Sequence, residues 1–381
     1  MNRRQLLKGT AAAALQIVPS GRPALKGATP QRALMKLGCQ SGPTSEQRLR
    51  FFARFGVEAI CGYPANPPQG GIYSVEDLSR LKELCEKHKV ILEVVEPGFL
   101  GSSHIDREKR PAIMLGQSPQ RDRDIEDVQN TIRNCARVGI PSLKYNMSIL
   151  GVLRTGRTPG RGGSTYSTWS LKQAKASQNF PPMTRAGRVT ADIYWERITY
   201  FLERVIPVAN EYKIRMACHP HDPGVPPVEG FQGVDAVLGT VEGLKRFVSI
   251  QESPYHGFNF CQGTVSEMLH DPGKEILDVI RYFGSRKKIF SVHFRNIRGH
   301  RDEFQETYPD EGDVDMMKAM MVYKEVGYSH SMMPDHVPMH PDDVSPLGPM
   351  ASRSTAPGGD QAFAFAYGYI RGLIQAVDLL S

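Results

Sequence analysis

Short apolar runs alternate with longer amphipathic segments along the chain. The runs are rich in Val, Ile, Cys and Met, and several are apolar at consecutive positions. That pattern is typical of parallel strands that are buried on both faces. We therefore predict eight strands, at residues 34–39, 57–63, 90–95, 142–147, 214–218, 258–261, 289–293 and 328–333.

Between the runs, apolar residues recur at the three- and four-residue spacing of a buried helix face. Ser74 is a residue type that caps a helix N-terminus, and it stands directly before such a segment. Eight strand–helix units predict an α/β protein with a single (β/α)8 TIM barrel, and a doubly wound open sheet is the alternative. The predicted helices lie at residues 45–55, 74–88, 124–138, 193–211, 240–248, 274–283, 314–326 and 362–380.

The connection after the fourth predicted strand is unusually long and basic. Residues 151–190 contain Lys and Arg but no Asp or Glu. A loop of this length inside a compact domain is usually functional or disordered, and it leaves the barrel face where active sites lie. Two interpretations stay open: a cationic lid over an anionic substrate, or a solvated insertion.

The positive charge is concentrated at the N-terminus. The formal net charge is +7, yet residues 1–26 hold basic side chains and no acid, so the rest of the chain is close to neutral. Nucleic acid is therefore not an expected partner. No apolar run approaches the ~20 residues that a membrane-spanning helix needs.

The start of the chain has the pattern of an export signal. Arg3 and Arg4 form a twin-arginine motif, which a short apolar stretch follows. We predict a signal segment at residues 1–27, a catalytic barrel at residues 32–381, and export by the twin-arginine route to the periplasm. The six cysteines are scattered through apolar patterns, which favours buried free thiols over a disulfide framework.

The candidate chemistry lies at the ends of the last four predicted strands. Imidazole, thiolate and carboxylate groups all bind divalent first-row metals. In a barrel these strand ends meet at one mouth, so residues far apart in sequence can surround one ion. The candidate metal ligands are His219, Cys261, His293 and Asp335.

Short motifs between residues 35 and 345 resemble the mannonate dehydratase family and occur in the family's order. Each motif is moderately specific, and the ordered set is more specific than any member. They are Tyr145-Asn146 with Arg154-Thr155, His219-Pro220-His221-Asp222-Pro223, Cys261-Gln262-Gly263-Thr264, His293-Phe294-Arg295-Asn296, Gly312-Asp313-Val314-Asp315-Met316 and Pro334-Asp335-His336.

The resemblance implies a lyase of carbohydrate metabolism on a xylose-isomerase-like barrel. The implied reaction is dehydration of D-mannonate to 2-keto-3-deoxy-D-gluconate with Mn²⁺ or Fe²⁺ on the four strand-end residues. Thiolate softness favours Fe²⁺, Zn²⁺ or Co²⁺, whereas the family precedent is Mn²⁺. The substrate-binding candidates are Arg295, Asn296, Asn146 and Arg154, and the acid and base candidates, not assigned between them, are His336, Tyr145, His221 and Asp222.

The chain departs from the family pattern at groups that carry charge or protons. Met333 stands where the family has Arg, His221 stands where it has an acid, and residues 357–363 offer no aligned Tyr. A sugar isomerase or epimerase with the same metal site, and a sugar-acid binder without activity, therefore stay open. The expected partner is a small sugar acid, and the sequence is compatible with a homo-oligomer.

Overall fold

The computed structural model describes residues 32–65, 72–343 and 359–380. The predicted export segment at residues 1–27 lies outside the described residues. The strands in the described part are β1 (Lys36–Ser41), β2 (Ala59–Gly62), β3 (Ile91–Val95), β4 (Ser142–Asn146), β5 (Gly156–Pro159), β6 (Thr165–Ser170), β7 (Arg215–His219), β8 (His256–Cys261), β9 (Ile289–His293), β10 (Ile297–His300), β11 (Glu303–Glu306) and β12 (Ser331–Met333).

Eight of these strands close into a parallel barrel in the order β1-β12-β9-β8-β7-β4-β3-β2. Each predicted apolar run overlaps one barrel strand, so the single TIM barrel is confirmed and the open sheet is excluded. Strands β2, β4, β8 and β9 are buried along their whole length, as expected where helices cover a parallel sheet from outside.

Helices alternate with the barrel strands along the chain, and several begin at a side-chain cap that the sequence supplies. The Ser74 hydroxyl accepts from the Asp77 backbone N–H and forms a capping box with the Asp77 side chain, and Thr240 caps a second helix. The helices are α1 (Glu46–Arg54), α2 (Val75–Lys87), α3 (Ala112–Leu115), α4 (Gln120–Val138), α5 (Leu171–Ala176), α6 (Ala191–Tyr212), α7 (Val241–Ser249), α8 (Gln262–Ser266), α9 (Pro272–Ser285), α10 (Met316–Glu325) and α11 (Asp360–Leu379).

The basic segment at residues 151–190 is folded into a second sheet. β5 and β6 pair with each other, and β6 pairs with β11, which gives the antiparallel order β10-β11-β6-β5. Acidic partners neutralise part of its charge: Arg161 lies 2.6 Å from Asp310, and Arg188 lies 2.8 Å from Asp235. The segment is therefore ordered at least in part, since β5 and β6 are paired and these two arginines are engaged by carboxylates.

The alternation of side chains along β4 decides which of them reach the barrel interior. Lys144 and Asn146 point inward and line a cavity at the C-terminal end of the strands. Tyr145, between them, points outward, and its ring packs 5.5 Å from that of Phe201 on α6. The cavity therefore receives an ammonium and an amide from β4 but no phenol.

The remaining expectations about the chain concern its thiols and its apolar segments. All six cysteines are buried and free, as predicted. Five of them have the environment of small core hydrophobes, and Cys261 lies at the barrel mouth. Within the described ranges, no helix is both long and apolar enough to cross a bilayer.

Candidate metal centre

Four side chains converge at the C-terminal mouth of the barrel. Pairing of the strands brings Cys261 level with His293, and His293 level with Met333, two residues before Asp335. His219 ends β7, the neighbour of β8. One potential ligand atom from each of His219, Cys261, His293 and Asp335 lies within 4.8 Å of the others.

The His219 ring is prepared as a neutral ligand. Its Nδ1 lies 2.7 Å from the Pro220 carbonyl oxygen, which can only accept, so Nδ1 carries the proton and Nε2 keeps its lone pair. Burial is the main cause that lowers the pKa of His219 to about 4, and the nearby Lys144 ammonium adds to it. The imidazole is therefore uncharged near neutral pH, as metal ligation requires.

His293 and Cys261 complete a donor set that fits a transition metal. Neither ring nitrogen of His293 has a hydrogen-bond partner among the described residues, although Nδ1 lies 3.3 Å from Asp335 Oδ2. Burial raises the pKa of Cys261, but Arg295 and His293 outweigh it, so the pKa is lowered and the thiolate is favoured. Two imidazoles, a thiolate and a carboxylate match a divalent first-row metal, and an ion would provide a partner for one of the two orphaned ring nitrogens of His293.

A network of buried charges lies directly beside these four residues. Arg154 Nη1 donates to Asp222 Oδ1 at 2.6 Å, and its guanidinium also contacts Glu306. Arg295 Nη1 donates to Glu267 Oε1 at 2.6 Å and to Glu306 Oε1 at 3.1 Å. Arg295 Nη2 donates to Asp222 Oδ2 at 3.2 Å and lies 3.6 Å from Cys261 Sγ, so the arginine supports the thiolate from behind.

A second cluster of possible ligands, Asp222, Glu306 and His336, is less suited to a metal. Its ligand atoms also lie within 4.8 Å of one another. Burial raises the pKa of Glu306, but Arg154 and His336 outweigh it and lower the pKa to about 2. The guanidiniums of Arg154 and Arg295 already balance these carboxylates, so the first cluster is the stronger candidate.

His336 lies between the two clusters and lines the cavity. Its Nδ1 is hydrogen-bonded to Glu306 Oε1, and its Nε2 lies 3.7 Å from Asp335 Oδ2. Burial lowers the pKa of His336, but Asp335 and Glu306 outweigh it and raise the pKa to about 9. The ring is therefore held in a fixed orientation beside the candidate metal ligands, in an environment that favours its protonated form.

The cavity contains part of the predicted site and several residues that the sequence reasoning missed. Of the predicted residues, six line it: Asn146, His219, Asp222, His293, Asp335 and His336. Most of the missed residues are polar groups at or near the C-terminal ends of the first four strands, a position that marks barrel active sites. The missed lining residues are Gln40, Tyr63, Glu96, Ser102, Lys144 and Val152.

Three predicted site residues are placed away from the cavity. Tyr145 faces α6, as described above. His221 Nε2 lies 2.9 Å from the Met147 carbonyl oxygen, and its Nδ1 accepts from the Leu238 backbone N–H at 3.3 Å. Asn296 Nδ2 donates to the Pro309 and Val314 carbonyl oxygens. These contacts hold loops in place, which argues against the acid–base and substrate roles predicted for the three residues.

The predicted substrate contacts of Arg154 and Arg295 meet a similar objection. Neither side chain lines the cavity, and both guanidiniums are engaged by carboxylates of the protein. Arg295 is also almost fully buried, at 2% exposed. Their position supports a role in orienting the ligands and His336.

Comparison with known proteins identifies the relatives of this chain. The profile of the family described as D-mannonate dehydratase (UxuA) matches residues 39–180 and 178–380. The mannonate dehydratase of Thermotoga petrophila is 30% identical over 315 residues, which cover 74% of this chain and 82% of that protein. Mannonate dehydratase 2 of Halalkalibacterium halodurans is 28% identical over 329 residues, which cover 77% and 88%.

Solved structures confirm the barrel type. The crystal structure of mannonate dehydratase from Streptococcus suis serotype 2 has a TM-score of 0.74 at 23% identity and covers 91% of this chain and 95% of that one. A xylose isomerase domain protein from Planctomyces limnophilus has a TM-score of 0.54 at 13% identity, with coverage of 90% and 98%. The fold is thus a xylose-isomerase-like TIM barrel, and, on the family profile and the sequence relatives, the chain belongs to the D-mannonate dehydratase family.

Proposed function

We propose that this chain is a metal-dependent hydro-lyase that converts D-mannonate into 2-keto-3-deoxy-D-gluconate. The observation that carries the proposal is the convergence of His219, Cys261, His293 and Asp335 at the barrel mouth, where three of them line the cavity together with His336. Membership of the D-mannonate dehydratase family supports the substrate. The departures from the family pattern leave these four candidate ligands intact.

The reaction removes a proton from the carbon beside a carboxylate and expels the neighbouring hydroxyl as water. A divalent cation held by the four ligands would supply Lewis acidity to substrate oxygens. The protein contributes the fixed orientation of those ligands. The Arg295 guanidinium contacts the Cys261 sulfur, and the Pro220 carbonyl oxygen fixes the orientation of the His219 ring.

His336 is proposed as the acid that delivers a proton to the departing hydroxyl. Its Nδ1 side is held by Glu306, so its Nε2 side is directed toward the metal ligands. The raised pKa keeps the ring protonated near neutral pH, which suits a proton donor. Of the four predicted acid–base candidates, His336 and Asp222 line the cavity, and Asp222 is held ionised by two arginines.

We propose Mn²⁺ or Fe²⁺ as the resident metal. The thiolate of Cys261 favours Fe²⁺ on softness, whereas the carboxylate of Asp335 is equally suited to Mn²⁺. Elemental analysis of the protein purified from its native host, without added metal, distinguishes the two.

The test of the reaction is incubation of the Mn²⁺-loaded protein with D-mannonate and other aldonic acids. The proposal expects a product that has lost one water from D-mannonate, detected by mass spectrometry. A product of unchanged mass that has taken up deuterium from heavy water would instead indicate an isomerase or epimerase. Absence of any product from the whole set would contradict the lyase.

We also propose export by the twin-arginine route, on the pattern of Arg3 and Arg4. The test replaces both residues by Lys and follows the protein in periplasmic and cytoplasmic fractions. Export should be lost in this variant and kept in the control Arg22→Lys. Equal export of both variants would contradict the proposal.

A further inference from the structure

The cavity wall carries polar side chains that the metal centre does not use. Lys144 on β4 and Glu96, which follows β3, line the cavity together with Gln40 and Tyr63. Lys144 Nζ donates to Gln40 Oε1 at 3.1 Å and to Glu96 Oε2 at 3.4 Å. The ammonium group has three N–H donors, and these two contacts leave one for a ligand in the cavity.

Lys144 is the one lysine or arginine among the described residues that line this cavity. The nearby guanidiniums of Arg154 and Arg295 do not line the cavity, and both are engaged by the carboxylates of Asp222 and Glu267. The lining itself includes the carboxylates of Glu96, Asp222 and Asp335, which repel an anion. His336 also lines the cavity, but its ring is already hydrogen-bonded to Glu306. An incoming carboxylate therefore has Lys144 as a cationic side chain with a free donor, in addition to the candidate metal centre.

Lys144 supplies a positive charge in a chain that has lost one at residue 333, where it departs from the family pattern. The resembled family carries Arg there, whereas Met333 is buried in a small apolar cluster with Cys61, Tyr63 and Val94. Tyr63 borders both this cluster and the cavity. The chain thus lacks a cation at residue 333 and has one on β4, which pairs with β7, the strand that ends in His219.

We infer that Lys144 binds the carboxylate of the sugar-acid substrate and takes the role of the missing arginine at residue 333. The inference rests on the proposed function and narrows it, because it makes a carboxylate the group that the cavity selects. A carboxylate between Lys144 and the metal centre is held from two sides. Stability gives little reason for a buried Lys144–Glu96 pair, because desolvation offsets the attraction of the two ions.

The test compares Mn²⁺-loaded wild type, Lys144→Gln and the control Lys36→Gln, with D-mannonate as substrate. Lys36 is a matched control because it pairs with Glu93 at 2.8 Å and starts β1 at the opposite end of the barrel. Lys144→Gln should raise KM about 10- to 100-fold, the effect of losing one charged hydrogen bond. Bound metal and folded structure should stay as in wild type, and Lys36→Gln should leave KM unchanged.

D-mannitol separates binding of the carboxylate from binding of the hydroxyls, because it has the hydroxyls alone. Its inhibition constant should be the same in all three proteins. An unchanged KM in Lys144→Gln would overturn the inference. Loss of bound metal from this variant, or a rise in its D-mannitol inhibition constant as large as the rise in KM, would also overturn it. If wild type binds D-mannonate without dehydrating it, the proposed reaction is contradicted. The role of Lys144 is then tested by comparing the dissociation constants of D-mannonate in the three proteins in place of KM.

Discussion

Single residues of the candidate metal centre differ in what they can contribute. His219 and His293 offer nitrogen, Asp335 offers oxygen, and Cys261 offers a thiolate that Arg295 supports. The thiolate is the most distinctive donor, because a serine of similar size remains a neutral alcohol. Substitution of this one atom therefore tests the ligand set with little change of shape.

Cys261→Ser should lose most of the bound metal, because the hydroxyl is neither charged nor soft enough to replace the thiolate. Elemental analysis of purified variants checks this. Cys135→Ala, in the core of α4, is the control and should keep the metal content of wild type. Wild-type metal content in Cys261→Ser would remove Cys261 from the ligand set.

His336→Gln should lower kcat by about 10²–10⁴-fold, the usual contribution of a general acid, with bound metal retained. The matched control is His330→Gln, just before the same strand β12 at the opposite end of the barrel. Steady-state kinetics with D-mannonate measures both. A kcat for His336→Gln close to wild type would show that another group protonates the leaving hydroxyl.

At this scale the sequence predicted the convergence of the four candidate ligands, and it placed the other candidate site residues less well. The ligands stand at strand ends, and that position is readable from a pattern of apolar runs. The direction of Tyr145 is decided by the alternation of β4, and the roles of Glu267 and Glu306 depend on contacts between distant segments. The spacing of residues along the sequence does not predict which way a side chain points or which distant residues it contacts.

Among the elements, the second sheet has the clearest structural effect on the site. Arg154 lies between β4 and β5, and its guanidinium contacts Asp222 and Glu306, so the residues leading to the second sheet are tied to the barrel mouth. The sequence indicated a functional or disordered loop here. Pairing of β6 with β11 joins segments more than a hundred residues apart in the chain, which no local pattern predicts.

Arg154→Ala should destabilise the protein by about 3 kcal/mol, because it leaves buried carboxylates without part of their counter-charge. Urea unfolding followed by circular dichroism measures the change. The control Arg157→Ala, on the exposed strand β5, should shift the free energy of unfolding by less than about 0.5 kcal/mol. Equal small effects of both variants would mean that the carboxylates do not depend on Arg154.

The whole molecule should lose stability on mild acidification, because several buried histidines stay neutral. Burial lowers the pKa of His221 and of His256 from 6.5 to about 4. Between pH 6.5 and 4 the unfolded chain binds protons that the folded state does not, so stability falls as pH falls through this window. Each residue contributes up to roughly 3 kcal/mol, at about 1.4 kcal/mol per pKa unit.

His256→Gln tests this dependence away from the cavity, since the His256 Nε2 hydrogen-bonds the Phe247 carbonyl in the core. Urea unfolding at a series of pH values between 6.5 and 4 should show a shallower loss of stability in His256→Gln than in wild type. His300→Gln, on β10 at the surface, should keep the wild-type slope. Identical slopes in all three proteins would show that His256 is protonated in the folded state.

The architecture of the whole molecule was the most predictable level. Eight apolar runs with helices between them have few alternative arrangements, and the barrel is one of them. The same reasoning placed the ligands at one mouth, because parallel strands of a barrel all end on the same side. The export segment remains a prediction, since it lies outside the described residues.

The most direct test of the account is the location of the metal in a crystal of the full chain grown with Mn²⁺. Anomalous scattering should give a peak surrounded by His219, Cys261, His293 and Asp335. A peak at Asp222, Glu306 and His336 would contradict the proposed metal centre. So would the absence of a peak at the barrel mouth in a crystal of protein that is shown to contain Mn²⁺.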